Sequence, residues 1–244
     1  MALTLATTTP GKPEIFASVQ GEGPSAGAPC TFIRLSRCNL ACVWCDTAYT
    51  WHFEGDERPH RGAETFDRKA NQVTLDEADV ARRITGLGQR RLIITGGEPL
   101  LQAPALAALL ELLPDMTVEV ETNGTTTAPA RLDIRIDQYN VSPKLAHSGN
   151  AAELALLPER LSHYAADARA FFKFVIAGPE DLEEVKVLVR AHAIPPARVF
   201  LMPEGTDSET LREREKWLVP LCLEHGFRMS DRLHIHLFGD TRGT

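Results

Sequence analysis

The sequence lacks long apolar runs, an excess of positive charge and a large number of cysteines, and each of these absences excludes a class of protein. No window approaches the roughly 18 uninterrupted apolar residues that a transmembrane helix needs. The formal net charge of −7 disfavours a surface that follows nucleic-acid phosphates. Residues 1–10 lack the basic and apolar stretches of a secretory signal. We therefore expect a cytoplasmic protein that contacts neither membrane nor nucleic acid directly.

The five cysteines do not form the even pattern of a disulfide framework, because three of them lie close together. This usage predicts a reducing compartment, with Cys30 and Cys222 in structural positions. Of the 244 residues, 43% are hydrophobic, which is enough for a sizeable core. We find no internal repeat and no linker that would divide the chain. The sequence therefore predicts a single domain over residues 1–244.

A cysteine loop at residues 38–47 carries the strongest chemical signal in the sequence. Its thiols belong to Cys38, Cys42 and Cys45, in a Cys-x-x-x-Cys-x-x-Cys spacing. Three thiolates on one short loop can hold an iron–sulfur cube and leave its fourth iron without a protein ligand. A structural zinc completed by His52 or His60 is an alternative, and unrelated buried cysteines are another. The polar neighbours Asn39 and Asp46 disfavour the latter, so an iron–sulfur cluster is the preferred interpretation.

Predicted strands alternate with predicted helices along the rest of the chain. The strands are expected at residues 31–36, 91–95, 116–122, 139–142, 171–176, 199–202 and 234–238. The helices are expected at residues 74–86, 103–113, 178–192 and 207–225, the first opened by a capping box from Thr74 to Glu77. About six βα units favour a partial (β/α)6 barrel, open on one side. The polar insert at residues 51–72 is predicted to be a loop or partly helical. A lid and a segment that is disordered without ligand are equally compatible with its composition.

Four polar motifs follow predicted strands, at residues 95–99, 122–124, 142–144 and 201–204. Parallel α/β sheets place their chemistry at the carboxyl ends of strands, so these motifs are expected to share a site with the cysteine loop. Each motif taken singly is also compatible with an ordinary turn, because glycine, proline and asparagine are the usual turn residues.

The cysteine spacing followed by Thr95-Gly-Gly-Glu-Pro99 resembles the radical S-adenosylmethionine (SAM) enzymes. The resemblance implies a [4Fe–4S] cluster on the three cysteines, with SAM at its open iron and Glu98 facing the ammonium of SAM. The residues that it assigns to SAM are Trp44, Cys45, Asp46, Gly96, Gly97, Glu98, Asn123, Ser142, Pro143, Lys144, Leu201, Met202, Pro203 and Glu204.

A narrower resemblance rests on residues outside the cysteines. Ser18-Val-Gln-Gly-Glu-Gly23, Arg34, Cys45-Asp-Thr47, Ser142-Pro-Lys144 and the C-terminal Phe238-Gly-Asp-Thr-Arg-Gly-Thr244 together resemble the 7-carboxy-7-deazaguanine synthase family. The resemblance spans residues 14–244. It implies a lyase of queuosine biosynthesis that contracts 6-carboxy-5,6,7,8-tetrahydropterin to 7-carboxy-7-deazaguanine by radical chemistry and releases ammonia.

The same resemblance implies a substrate site and several partners. The residues that it assigns to the substrate are Val19, Gln20, Gly21, Glu22, Arg34, Thr95 and Thr244. Arg34 would offer a two-pronged guanidinium to a carboxylate, and the Thr47 hydroxyl would bind Mg²⁺ together with the substrate. The family also implies a homodimer and a one-electron donor such as flavodoxin or ferredoxin.

Two other functions remain open from the sequence. A radical SAM activating enzyme would use the same cysteine loop on a protein partner, and a zinc or iron–sulfur binding module would use it without catalysis. Gln20 and Glu22 are also compatible with plain turn residues, and Arg34 with a salt bridge at the rim. His234 and His236 alternate on the last predicted strand without metal-ligand spacing to the cysteines, so neither is assigned to the site.

Overall fold

A computed structural model of the chain describes residues 2–62 and 65–244. The strands of this part are β1 Ala2–Thr9, β2 Lys12–Pro13, β3 Ile15–Val19, β4 Pro29–Leu35, β5 Gln72–Asp76, β6 Arg91–Gly96, β7 Thr117–Thr122, β8 Gln138–Val141, β9 Ala170–Ile176, β10 Val199–Pro203 and β11 Arg228–Met229. The helices are α1 Arg68–Asn71, α2 Glu77–Gly86, α3 Ala103–Glu111, α4 Ala130–Asp133, α5 Ala152–Ala155, α6 Pro158–Ala166, α7 Asp181–Ala191, α8 Ser208–His225 and α9 Leu233–Phe238. Residues 63 and 64 of the predicted insert lie outside the described part.

Strands β4, β6, β7, β8, β9 and β10 lie side by side in chain order, and each pairs with the next in parallel. Helices such as α2, α3, α6 and α7 lie in the connections between them. The strand order runs from β11 at one edge to β2 at the other, and these edges do not pair among the described residues. The sheet is therefore a six-unit open barrel, as the sequence predicted.

The N-terminal part of the sheet is antiparallel and was not predicted. Strand β1 pairs with β4 and β5, and β3 pairs with β4, all antiparallel. Leu3 and Leu5 of β1 are fully buried. The intervening threonines are β-branched and suit an extended chain. This alternation suits residues 2–9 to a strand. The side of β4 that β6 does not cover is paired by β3 along residues 29–33 and by β1 at Leu35.

Alternation along the parallel strands separates a helix-covered face from a concave face. In β6, Leu92 and Ile94 pack in the main core, whereas Ile93 packs with Cys30 on the other face and Thr95 lines a cavity. Apolar side chains therefore fill the face that the helices cover. The concave face carries the polar strand residues, which are Arg34, Thr95, Glu121, Asn140 and Lys173.

Helix α2 begins later than predicted. Thr74 belongs to β5, where it pairs with Thr4 of β1. The helix instead begins at Glu77, and the Asp76 carboxylate accepts a hydrogen bond from the Asp79 N–H at 2.7 Å. The capping-box prediction was wrong because residues 72–76 pair with β1 and are part of the sheet.

The predicted strand at residues 234–238 was also wrong, because residues 233–238 form α9. A run this short alternates in the same way in a strand and in a single buried helical turn, and its tertiary contacts decide between them. Ile235 is buried, His234 lines the cavity, and His236 contacts Ser208 of α8. No helix in the described part of the chain is both long and apolar enough to span a membrane.

Candidate active site

One cavity opens at the carboxyl ends of the parallel strands, between the cysteine loop and the N- and C-terminal segments. It brings together most of the residues that the sequence assigned to a site. These are Val19, Gln20, Gly21, Glu22, Arg34, Cys38, Cys42, Trp44, Cys45, Asp46, Thr47, Thr95, Gly96, Gly97, Asn123, Ser142, Lys144, Met202, Pro203, Glu204 and Thr244. The assigned residues Glu98, Pro143 and Leu201 do not line the cavity. Leu201 packs in the main core instead, because neighbouring side chains of β10 alternate between the two faces.

The cysteine loop is held by amide groups from the connections after β7 and β8. The Asn150 side chain accepts a hydrogen bond from the Ala41 N–H at 2.9 Å and donates one to the Cys42 sulfur at 3.2 Å. Asn123 Nδ2 lies 3.9 Å from the Cys38 sulfur. All five cysteines are free thiols. Donors aimed at sulfur stabilise thiolate ligands, so this loop suits a bound iron–sulfur cluster.

The spacing of the three sulfurs argues against a single zinc ion. Ligand sulfurs about 2.3 Å from one tetrahedral zinc lie about 3.8 Å apart. The three Sγ atoms do not all lie within 4.8 Å of one another in the described part of the chain. His60 already bonds the Cys45 carbonyl through Nε2 at 2.9 Å and the Gly62 N–H through Nδ1 at 3.1 Å. The donor set therefore fits a multi-iron cluster better than zinc.

Burial disfavours the charged form of the three loop thiols. Burial raises the pKa of Cys38 to about 12 and that of Cys45 to about 11. Burial also raises the pKa of Cys42, against the opposing charge of Lys144. Metal ligation requires thiolates, so assembly of a cluster releases protons from this loop.

The Gly-Gly pair after β6 lies against the backbone at the end of β4. A Cβ atom on Gly96, whose φ is +140°, would lie 2.0 Å from the Leu35 carbonyl oxygen. A Cβ atom on Gly97 would lie 2.1 Å from the Arg37 carbonyl oxygen. No side chain fits at either position, so the backbone stays bare at the cavity wall.

Glu98 does not face the cavity, in contrast to the sequence prediction. Its carboxylate is fully buried and accepts hydrogen bonds from the Thr122 hydroxyl at 3.0 Å and from the Asn123 N–H at 2.8 Å. It also accepts one from the Leu100 N–H at 3.1 Å. Burial raises the pKa of Glu98 to about 7, although these hydrogen bonds oppose the shift. In this structure Glu98 joins the ends of β6 and β7.

A buried ion-pair network connects the cavity wall to Asp46 of the cysteine loop. Glu22 pairs with Lys173 and with Arg232, the latter with its Nε 3.2 Å from Glu22 Oε1. Arg232 also pairs with Asp46 and donates to the Gly205 carbonyl. Burial alone would raise the pKa of Glu22, but Lys173 and Arg232 hold it well below its ordinary value. Sequence reasoning missed both cations because they come from distant parts of the chain.

Arg34 projects from β4 into the cavity with only part of its guanidinium engaged. Its Nε donates to Glu14 at 2.8 Å, and Glu14 also accepts from the Tyr49 hydroxyl at 2.9 Å. Although burial opposes it, the Glu14 carboxylate raises the pKa of Arg34 above its ordinary value. Its terminal nitrogens have no hydrogen-bond partner among the described residues, and a permanent cation with such N–H groups suits recognition of a carboxylate.

Glu121 is a further wall residue that sequence reasoning missed. It accepts hydrogen bonds from Gln20 Nε2 at 3.2 Å and from the Thr95 hydroxyl at 2.8 Å. The alternating run Thr117–Thr122 places Glu119 and Glu121 on one face of β7. That alternation was the available signal, because Val118 and Val120 lie on the opposite face.

The chain termini meet beside the cavity. Thr244 lines it, and the Arg242 guanidinium lies 3.5 Å from the centre of the Tyr49 ring. His234, which the sequence analysis left unassigned, also lines the cavity and packs against Gly21. The Thr47 hydroxyl lies 3.6 Å from the Cys45 sulfur.

The chain is similar to known proteins over nearly its whole length. The family model described as the Radical SAM superfamily matches residues 32–149. A 7-carboxy-7-deazaguanine synthase of Pyrobaculum aerophilum is 38% identical, covering 94% of this chain and 95% of that protein. Another from Halobacterium salinarum is 35% identical, covering 95% and 91%.

Two solved structures show the same fold. The crystal structure of QueE from Escherichia coli superimposes with a TM-score of 0.67 at 26% identity, over 95% of both chains. Streptococcus suis SuiB has a TM-score of 0.51 at 14% identity, over 80% of this chain and 47% of that one, which supports the fold alone.

The open barrel, the three-cysteine loop and the match to the superfamily model define a radical SAM protein. Within that class, the 7-carboxy-7-deazaguanine synthases at 38% and 35% identity, matched over more than 90% of both chains, decide the family. The chain belongs to the 7-carboxy-7-deazaguanine synthase family.

Proposed function

We propose that this protein converts 6-carboxy-5,6,7,8-tetrahydropterin to 7-carboxy-7-deazaguanine with release of ammonia, in queuosine and 7-deazapurine biosynthesis. The observation that carries the proposal is that the cysteine loop and the polar residues of the concave face line one cavity. The family membership agrees with this activity. An activating enzyme for a protein partner needs the cysteine loop but not the polar concave face.

The polar wall has the donors and acceptors that a carboxylated pterin requires. Arg34 offers N–H groups to the carboxylate, while its Nε stays bound to Glu14. Gln20 and Glu121 present an amide and a carboxylate to the donor and acceptor edge of the ring system. Glu22 stays ionised because Lys173 and Arg232 flank it. These groups orient the bicyclic acid, with the backbone of Val19 and Gly21 beside them.

The cysteines would hold the [4Fe–4S] cluster, and the bare backbone of Gly96 and Gly97 would pair with the amino-acid end of SAM. When bound, the cluster and SAM supply the radical that abstracts hydrogen from the substrate. The Thr47 hydroxyl would provide one ligand to Mg²⁺, a cation that retains water and substrate oxygens. The residues of the chain itself orient the substrate. The cavity wall, which includes Phe32 and Trp51, limits the access of water to the reacting groups.

Three parts of the functional assignment stay predictions. These are the homodimer, the flavodoxin- or ferredoxin-type electron donor and the cytoplasmic location. The five free thiols agree with a reducing compartment.

The test is anaerobic turnover of the reconstituted protein with reductant, SAM, Mg²⁺ and the carboxypterin, with detection of the deazaguanine product. We expect product from the wild type and from Cys222→Ala, a buried cysteine far from the loop in sequence. We expect neither product nor a full complement of about four irons per chain from Cys42→Ala. Product formation by a cluster-free Cys42→Ala protein would refute the proposal. Turnover of a protein partner instead of the pterin would favour the activating-enzyme alternative.

A further inference from the structure

A second group of potential metal ligands lies outside the active-site cavity. Glu215 of α8, Asp231 and His236 of α9 each offer one ligand atom, and these atoms all lie within 4.8 Å of one another. In the described part of the chain, this is the only such group of three or more histidine, cysteine or acidic side chains. None of the three residues lines the cavity described above.

The two carboxylates of this group lack a positive partner other than the histidine. Among the described residues, no side-chain nitrogen of a lysine or arginine lies within 4.0 Å of either carboxylate, although Asp231 Oδ1 accepts a hydrogen bond from the backbone N–H of Arg232 at 2.5 Å. The adjacent arginines are engaged elsewhere, Arg214 with Glu204 and Arg232 with Glu22 and Asp46.

One oxygen of the group is buried and unsatisfied. Within the described residues, Glu215 Oε1 is inaccessible to solvent and has no hydrogen-bond partner, and it lies 3.6 Å from His236 Nε2. A buried carboxylate oxygen beside a second carboxylate is costly unless a proton or a cation lies between them.

The histidine is oriented as a metal ligand would be. His236 Nδ1 lies 3.0 Å from the Ser208 hydroxyl, and its Nε2 lies 3.1 Å from Asp231 Oδ1. In metal sites the ring nitrogen that does not bind the metal has such a polar partner, which sets the ring orientation. One imidazole nitrogen with two carboxylate oxygens suits a first-row divalent metal better than Ca²⁺ or Mg²⁺.

We propose that Glu215, Asp231 and His236 bind a divalent transition-metal cation, which links α8 to the segment that contains Arg232. Asp231 directly precedes Arg232, whose guanidinium joins Glu22 to Asp46 in the cavity wall. A cation at this position holds Asp231, and with it the neighbouring Arg232, without lining the cavity itself. The site is separate from the Mg²⁺ of the proposed reaction and does not depend on it.

The probe is Mn²⁺, titrated into the cluster-reconstituted protein with the cluster oxidised and EPR-silent, in the absence of SAM and substrate. Loss of the free Mn²⁺ EPR signal measures binding. We expect one ion per chain in the wild type and binding weakened about 10- to 100-fold or more in Glu215→Gln and His236→Gln. Ser208→Ala, which removes only the partner of the ring, is expected to weaken binding less than either ligand variant.

Matched controls separate this site from other sources of binding. Glu213→Gln alters an exposed carboxylate of the same helix and is expected to bind Mn²⁺ as the wild type does, and so is Thr47→Ala. Mn²⁺ is also expected to raise the Tm of the wild type and of Glu213→Gln, but not that of Glu215→Gln. The absence of binding at millimolar Mn²⁺ would overturn the proposal. Equal binding by wild type, Glu215→Gln and His236→Gln, or loss in Thr47→Ala, would overturn it as well.

Discussion

Arg34 is the residue whose geometry bears most directly on substrate recognition. Its Nε donates to Glu14, so the proposed contact with a carboxylate depends on its two terminal NH2 groups. Arg34→Lys keeps the charge and the partner Glu14 but loses the planar fork. Loss of one charge-assisted hydrogen bond costs about 1.5–3 kcal/mol, so we expect KM for the pterin to rise about 10- to 100-fold.

Steady-state kinetics check this prediction, with Arg83→Lys, an exposed position on α2, as the control. An unchanged KM in Arg34→Lys would show that the guanidinium fork does not contact the substrate.

Glu98 makes the stability of the protein depend on pH. Burial raises its pKa from the ordinary 4.5 to about 7, so the folded state holds a proton that the unfolded state has released. The stabilising contribution is complete below pH 4.5 and is lost as pH rises through 7. Over this range the free energy of unfolding falls by about 3 kcal/mol through this one group.

Glu98→Gln cannot ionise, so its stability relative to the wild type is expected to increase by about 2 kcal/mol between pH 5.5 and pH 8, which is the part of the total change that falls in this window. Denaturant unfolding of the cluster-free proteins at the two pH values measures the difference. The same relative stability at both values would show that Glu98 ionises normally in the folded protein.

Helix α2 shows how a neighbouring strand can move a helix start. The sequence favoured Thr74 as the cap, whereas Asp76 accepts the hydrogen bond from the Asp79 N–H. We expect Asp76→Ala to lower the free energy of unfolding by about 1 kcal/mol. Thr74→Ala, at an exposed position of β5, is expected to change it by less than about 0.5 kcal/mol.

Thermal unfolding of the two variants checks this expectation, because about 1 kcal/mol corresponds to a Tm shift of about 2–4 °C in a protein of this size. A larger loss of stability in Thr74→Ala than in Asp76→Ala would show that Thr74 caps the helix, as the sequence suggested.

The parallel strands are the elements that sequence patterns predicted best. Short apolar runs such as residues 91–95 are buried on both faces, and they end in glycine or asparagine, so both their type and their ends could be read locally. Strand β1 and helix α9 could not be read in this way. Strand β1 depends on pairing with β4 and β5, and α9 depends on contacts with α8 and the cavity wall.

At the scale of the whole molecule, the two ends of the chain are brought together beside the cavity. Arg242 stacks on Tyr49, bonds Asn71 Oδ1 at 2.8 Å and contacts the Thr7 carbonyl of β1. This contact holds the last residues where Thr244 reaches the cavity. The C-terminal segment therefore depends on the N-terminal strand for its position.

Arg242→Ala is expected to release the C-terminal segment and to raise KM for the pterin about fivefold, because a stacked arginine contributes about 1 kcal/mol. The effect on kcat should be smaller, since no group at the cysteine loop is removed. Steady-state kinetics, together with hydrogen exchange of residues 239–244, measure both changes. Arg242→Lys, which keeps the charge without the planar stack, is the matched control. Unchanged exchange in Arg242→Ala would show that the segment is held by other contacts.

The sequence by itself determined the cysteine loop, the bare glycines, the open barrel and most of the cavity residues. These features are local, since they depend on spacing within a loop or on the residues at one strand end. Only the tertiary structure decided that Lys173, Arg232, Glu121 and His234 join the cavity wall and that Glu98 turns away from it. Such positions follow from which strands and helices become neighbours, and that is fixed by packing between segments far apart in the chain.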